Sequence, residues 1–142
     1  MIQYLLDTNI VSYYLRRGST QLHERVKTAM RHEEAAISSI VRAEIRYGQA
    51  LIAPQDFRHA LIDGLLAQLP TLAWNASAAD YHGKLFSQLK KQGRPIGELD
   101  TQIAAHALAE NLILVTHNTK HFERIEGLKM EDWMEFKYVR YG

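Results

Sequence analysis

The segment IQYLLDTN, residues 2–9, decides the fold class, because an apolar run with high β propensity stops abruptly at three polar residues. Ile2–Leu6 predicts a buried first strand, and the DTN that follows predicts a turn or the cap of the next helix. The segment LILVTHNT, residues 112–119, repeats this pattern. The chain is therefore predicted to contain at least two buried strands that carry polar side chains at their carboxyl ends.

Apolar residues between these strands recur mostly at helical spacing. The spacing predicts helices at about 22–30, 40–51, 54–70, 79–89 and 99–108, with the third of these opened and closed by proline. Short strands are predicted at 35–39 and 71–74, and Ser39 is predicted to cap the helix after the first of them. The clearest loop is QGRPIG, residues 92–97. Alternating strands and helices predict an α/β fold with a mostly parallel sheet and helices on both faces.

Composition limits the class of protein. The chain has 142 residues and 46% hydrophobic content, which suits one domain over residues 1–142 with its own core. The apolar runs are far shorter than the ~20 residues of a membrane span, and the N-terminus has no signal-like segment, so we expect a soluble cytoplasmic protein. The absence of cysteine excludes disulfides, thiol nucleophiles and thiolate zinc sites.

The net charge is only +1, so binding to a nucleic acid would need local basic patches. Three clusters are candidates for such patches, although each is also typical of an ordinary solvated surface. They are Arg16-Arg17, Lys90-Lys91 with Arg94, and Lys137 with Arg140. Arg94 is the favoured phosphate contact, because a guanidinium on a loop can grip a phosphate with two hydrogen bonds.

Four polar residues are expected to meet at the carboxyl edge of the sheet: Asp7, Glu44, Asp100 and Asn118. Taken singly, Asp7 is explained equally well as a helix cap, and Glu44 and Asp100 by favourable positions near helix N-termini. Together, three carboxylates in one crevice would repel one another unless a divalent cation neutralised them. Oxygen ligands favour Mg²⁺, with Mn²⁺ also possible, and such an ion can promote phosphodiester hydrolysis.

Four ordered motifs resemble those of PIN-domain nucleases, and in detail those of the VapC toxins. The first is LLDTN at 5–9, and the second is SSI at 38–40 with AEIRYG at 43–48. The third is GRPIG at 93–97 with Asp100 and IAAH at 103–106, and the fourth is VTHN at 115–118 with Phe122. The resemblance covers about residues 2–133 and leaves 134–142 as a C-terminal tail.

This resemblance implies a three-layer α/β/α PIN-like domain that acts as the ribonuclease toxin of a type II toxin–antitoxin pair. Asp7, Glu44 and Asp100 match the acidic metal ligands of the family. Asn118 stands where many members have aspartate, so one bound ion is expected and a second is in doubt. The implied substrate is single-stranded RNA loops, with tRNA favoured, and the implied partners are a VapB-like antitoxin and a second copy of the chain.

Further residues near the motifs are candidates for supporting roles. Thr8, Asn9 and Ser39 can position water or phosphate beside Asp7, although turn formation and helix capping explain them as well. Glu98 and His121 are extra candidates at the mouth of the site. His121 and His117 are four apart, but the segment between them is predicted to be a loop, so a zinc site is not favoured there.

Two other functions remain open from the sequence. A phosphotransfer enzyme of the haloacid-dehalogenase type also has a strand that ends in aspartate and threonine, but it needs a second aspartate where this chain has Asn9. A catalytically silent PIN-fold module that binds RNA or protein is suggested only by Asn118. Metal-dependent turnover separates an active nuclease from the silent module.

Overall fold

The computed structural model describes residues 1–134 and 139–140 of the chain. Its strands are β1 (Tyr4–Leu6), β2 (Ala35–Ser38), β3 (Thr71–Leu72), β4 (Ile113–Val115), β5 (Met130–Glu131) and β6 (Val139–Arg140). Its helices are α1 (Thr8–Arg16), α2 (Thr20–Arg31), α3 (Ser39–Ala50), α4 (Arg58–Gln68), α5 (Ala76–Lys91), α6 (Glu98–Ala109) and α7 (Thr119–Phe122). The predicted alternation of strands and helices is confirmed.

The strands form one sheet in the order β3-β2-β1-β4-β5-β6. The first five strands in this order are parallel, and β6 pairs with β5 in the antiparallel direction. Strand β1 lies near the middle, with Tyr4 beside Ala35 on one side and Leu6 beside Val115 on the other. Helices flank this sheet, so the predicted α/β class with a mostly parallel sheet is correct.

The core is built on the two central strands. Leu5, Leu6, Leu114 and Val115 are almost completely buried, as expected for continuous apolar strands in a parallel sheet. Helix α6 packs against both α5 and β4, and its residues Ala104, Ala105 and Ala107 are buried. This packing fixes the first turn of α6 near the carboxyl end of β4, where the functional residues are expected.

Some predicted elements differ in their bounds. Ser38 caps α3 by accepting a hydrogen bond from the backbone N–H of Ile40, so the prediction that Ser39 would be the cap is wrong by one residue. Helix α4 begins only at Arg58, because a turn separates Pro54 from the helix. Phe57, predicted to lie on the buried face of this helix, is 75% exposed.

Two helices in the described part of the chain were not among those predicted from apolar spacing. Helix α1 follows the DTN segment, for which a turn or a helix cap was predicted. Thr119–Phe122, predicted to be loop, forms the single turn α7, which is anchored because Phe122 is buried in the core. No helix in the described part of the chain is long and apolar enough to cross a bilayer. Of the basic cluster near the C-terminus, Lys137 lies outside the described residues.

Candidate active site

Asp7 is both a helix cap and a buried carboxylate. Its Oδ1 accepts a hydrogen bond from the backbone N–H of Ile10 at 2.9 Å, and its side chain also bonds to Thr116. The backbone N–H of Asp7 donates to the carbonyl of Val115 at 3.1 Å, which places it at the carboxyl end of both central strands. The capping role predicted for Asp7 is confirmed, but capping alone does not require a carboxylate that is only 6% exposed.

Asp100 and Glu44 lie near enough to Asp7 for their charges to act on it. Burial raises the pKa of Asp7 from its ordinary 3.8 to about 6, and the hydrogen bonds from Thr116 and Ile10 oppose this rise. The negative charges of Asp100 and Glu44 raise the pKa of Asp7 further. A nearby cation would therefore stabilise the ionised form of Asp7.

Glu44 reaches the crevice from the second turn of α3. Its Oε1 accepts a hydrogen bond of 2.6 Å from the hydroxyl of Thr8, the residue after Asp7. Thr8, predicted to have a supporting role, thus connects the start of α1 to α3. Because both side chains are only half-buried, the hydroxyl fixes the direction of a carboxylate that is otherwise free to turn toward solvent.

We predict that Thr8→Val lowers the rate of RNA cleavage about tenfold, because a charge-assisted hydrogen bond contributes about 1.5 kcal/mol and its loss leaves Glu44 without a fixed direction. Thr8→Ser retains the hydroxyl and serves as the control, with a rate close to that of the unmodified chain. The measurement is the single-turnover rate on labelled RNA. Equal rates for all three proteins would show that this hydrogen bond does not orient Glu44 for the reaction.

Asp100 lies in the first turn of α6, as predicted. Its Oδ2 is 2.9 Å from Nε2 of His121, and the same nitrogen is 2.9 Å from the backbone carbonyl oxygen of Ile96. The Asp100 side chain is 44% exposed, in contrast to the buried Asp7. The structure thus brings His121, one of the extra candidates, into direct contact with a predicted metal ligand.

Asn118 occupies the expected position after β4, directly before α7. Its backbone N–H donates to the Thr116 hydroxyl at 3.0 Å, and Thr116 also bonds to the Asp7 carboxylate. The side chain of Asn118 is exposed. One buried hydroxyl therefore links the fourth motif to the carboxylate of the first.

The other predicted site residues make no hydrogen bond to the three carboxylates. Asn9, Arg94 and Glu98 are exposed, and the structure gives them no hydrogen bond to the three carboxylates. Ser39 is engaged elsewhere, because its hydroxyl accepts a hydrogen bond from the backbone N–H of Trp74 at 3.0 Å. These four remain candidates for contacts with substrate and are not part of the carboxylate group itself.

The sequence analysis missed two polar features of this edge. Thr116 could have been found from the strand pairing, because the residue after Val115 must lie beside the residue after Leu6 in this register. Asp132 follows the two-residue strand β5, which no periodicity indicated. Its buried carboxylate lies 2.9 Å from Nδ1 of His117 and holds that ring at the edge of the sheet.

A buried histidine connects the two helices that carry Glu44 and Asp100. Nδ1 of His106 in α6 is 2.8 Å from the hydroxyl of Ser38, the cap of α3. Burial lowers the pKa of His106, so the imidazole is neutral at physiological pH. The contact fixes the first turn of α3 relative to α6 and thereby limits how far the two carboxylates can separate.

The donor atoms of the crevice fit a hard divalent cation. Within residues 1–134 and 139–140 no three His, Asp or Glu side chains form a compact ligand group, so the three carboxylates do not converge on one point. Mg²⁺ is commonly held by only one or two carboxylates and retains several waters, which suits this spacing. The buried Asp7, with its raised pKa and two anionic neighbours, is the residue that fits such an ion best.

The fold is that of a PIN domain, and the PIN domain family matches residues 4–128. The tRNA(fMet)-specific endonuclease VapC of Shigella flexneri is 35% identical over 133 residues, which are 94% of this chain and 99% of that protein. The ribonuclease VapC2 of Haemophilus influenzae is 37% identical over 134 residues, covering 94% of this chain and 100% of the relative.

A solved structure of a VapBC complex also matches this chain. In the DNA-bound VapBC complex of Salmonella typhimurium, the matching chain has a TM-score of 0.86 and 32% identity, with 94% of this chain and 99% of that chain covered. The protein described here therefore belongs to the VapC toxin family of PIN-domain ribonucleases. The phosphotransfer and silent-module alternatives are not supported, because the fold family and the named relatives are those of nucleases.

Proposed function

We propose that this ribonuclease is a Mg²⁺-dependent endonuclease of single-stranded RNA loops, with tRNA as the favoured substrate class and Mn²⁺ as a possible substitute. The observation that supports the metal dependence is the environment of Asp7. Burial raises the pKa of this carboxylate to about 6, and the negative charges of Asp100 and Glu44 contribute to the rise. A cation bound near Asp7 would reduce the repulsion among these negative charges. Such an ion, when bound, activates water and stabilises the charge of the departing oxygen.

The chain's own residues have separate roles in this proposal. Asp7 and Asp100 would hold the ion, and Glu44, fixed by Thr8, would complete the negative surface that attracts it. Asn118, which lies outside the buried part of the crevice, would orient water through its amide. Because Asn118 supplies no charge, we propose that the site binds a single ion.

The substrate class follows from access and from the relatives. Asp7 lies at the carboxyl edge of the sheet. A flexible single strand of RNA can bring a phosphodiester to this edge, whereas a stacked RNA duplex would first have to deform. Support for tRNA comes from the Shigella flexneri relative, whose name specifies tRNA(fMet). Arg94, on the exposed loop before α6, is the proposed phosphate contact.

The proposed partner is a VapB-like antitoxin that inhibits cleavage. Support comes from the matching structure of Salmonella typhimurium, which is a VapBC complex. A cleft of about 190 Å³ beside Thr8 and Glu44 has apolar walls that include Leu15, Ile45 and Ile62, and it offers space for a partner's side chains next to Glu44. We further propose a homodimer in the cytoplasm, as in the expectation from sequence.

The test is cleavage of end-labelled tRNA by the purified chain without antitoxin. We expect cutting with Mg²⁺, loss of cutting with excess chelator, and recovery when Mg²⁺ is restored above the chelator concentration. Asp7→Asn protein, purified in parallel, controls for contaminating nucleases. Undiminished cutting in chelator, or equal cutting by the variant preparation, would overturn the proposed metal dependence.

A further inference from the structure

His121 makes two contacts with one ring nitrogen. Its Nε2 is 2.9 Å from Oδ2 of Asp100 and 2.9 Å from the backbone carbonyl oxygen of Ile96. Both partners can only accept a hydrogen bond when Asp100 is ionised, so Nε2 must carry the hydrogen and is shared between them. The contact thus fixes the ring's hydrogen on the nitrogen that faces the crevice.

The position of His121 is itself well fixed. It lies in α7, whose Thr119 and Phe122 are buried, and its ring packs edge-on against Phe122 with 5.3 Å between centroids. The His121 side chain is 25% exposed. Because α7 is held by buried residues, the His121 ring has little freedom to move. The hydrogen bond therefore fixes the orientation of the more exposed Asp100 side chain.

The second acceptor belongs to the loop at residues 92–97. Ile96 is buried within this loop, and Gly97, which follows it, has a left-handed backbone with φ of 96° before α6 begins. Arg124 makes a separate connection to the same loop, because its Nη1 donates to the carbonyl oxygen of Pro95 at 2.8 Å. His121 connects this loop to Asp100, whereas Arg124 contacts the loop alone.

We propose that His121 is a positioning residue for metal binding: its single shared N–H holds Asp100 and the 92–97 loop in one arrangement and leaves Oδ1 of Asp100 for the ion. The inference rests on the proposed function, since it assumes that Asp100 helps to hold a divalent cation. Hydrogen bonds to a ligating carboxylate fix its orientation, and loss of such a partner commonly weakens metal affinity 10- to 100-fold, about the size of effect expected here.

The test measures Mn²⁺ affinity in the absence of RNA, from the electron paramagnetic resonance signal of the free ion. His121→Ala is expected to weaken binding by about tenfold. His121→Gln places an amide N–H near the position of Nε2 and should restore the affinity to within about threefold of the unmodified chain. Arg124→Ala removes the other loop contact and should leave Mn²⁺ affinity unchanged.

Each outcome decides the proposal. Unchanged affinity in His121→Ala, or an equal loss in a folded His121→Gln, would overturn the role of the shared N–H. An equal loss in Arg124→Ala would show that general order of the loop, and not the bond to Asp100, sets the affinity. If the unmodified chain binds no Mn²⁺, the proposed function fails first, and that result is distinguishable from a failure of His121 alone.

Discussion

Asp7→Asn is expected to reduce RNA cleavage about 1,000-fold, because about 4 kcal/mol of transition-state stabilisation is lost when the central carboxylate can no longer hold a cation. The same variant is expected to be more stable than the unmodified chain at pH 8 without metal. Asparagine caps helices as well as aspartate does, so the hydrogen bond to the Ile10 N–H is retained. Only the buried charge is removed.

The sign of the stability effect follows from the pKa of Asp7, which is raised from 3.8, the ordinary value expected in the unfolded chain, to about 6 in the folded chain. Because folding raises the pKa of this carboxyl group, the protonated Asp7 costs the folded state nothing below pH 4, and stability falls as the pH rises from about 4 to 6. Above pH 6 the ionised Asp7 costs up to about 3 kcal/mol relative to its protonated form. The gain from Asp7→Asn should therefore be present at pH 8 and absent below pH 4.

The measurements are single-turnover cleavage and urea unfolding at both pH values, with chelator present during unfolding. The unmodified chain, unfolded with saturating Mg²⁺, provides the control, since the ion should recover part of the stability that the Asp7 charge costs. Near-normal cleavage by Asp7→Asn, or lower stability of this variant at pH 8, would contradict the assignment of Asp7.

Asp100→Asn is expected to lose cleavage to a similar degree, about 1,000-fold, but without the gain in stability. The Asp100 side chain is 44% exposed, so water already stabilises its charge and little is recovered by removing it. The amide oxygen of asparagine still accepts the hydrogen bond from His121. The free energy of unfolding at pH 8 should stay within about 0.5 kcal/mol of the unmodified chain.

The comparison of the two variants separates chemistry from folding. Cleavage assays and urea unfolding are run on both proteins in the same buffers. A large stabilisation by Asp100→Asn would mean that the two carboxylates share one buried environment. Retained cleavage would mean that Asp100 has no part in the reaction.

The two central strands could be predicted from sequence because the deciding segments are strongly patterned. IQYLLDTN and LILVTHNT each combine a buried strand with polar residues at its end, and the structure pairs these strands with Leu6 beside Val115. The short elements could not be predicted. Strand β5 has two residues and helix α7 has four, so neither is long enough to repeat its hydrophobic pattern.

Apolar spacing also failed to identify which face of α4 is buried. Leu65 and Leu69 are buried as expected, yet Phe57 and Leu61, which continue the same spacing, are 75% and 45% exposed. Periodicity shows that a face is apolar, and it does not show whether the chain itself covers that face. The exposed face is compatible with the proposed partner.

The proximity of Glu44 and Asp100 to Asp7 could be predicted from sequence, and their individual contacts could not. Asp7, Glu44 and Asp100 emerge near one another because parallel strands end at the same edge of the sheet. The contacts of Thr8 with Glu44 and of His121 with Asp100 depend on how helices are placed in three dimensions, which residue spacing does not specify. Asp132 was missed for the same reason, since the strand before it is too short to be recognised.

A calorimetric titration of Mn²⁺ into the purified chain at pH 8, compared with Asp7→Asn, measures the proposed metal site directly. We expect one ion bound per chain and loss of that binding in the variant, because the ion stabilises the buried charge of Asp7. Binding of equal affinity and stoichiometry by Asp7→Asn would contradict this expectation.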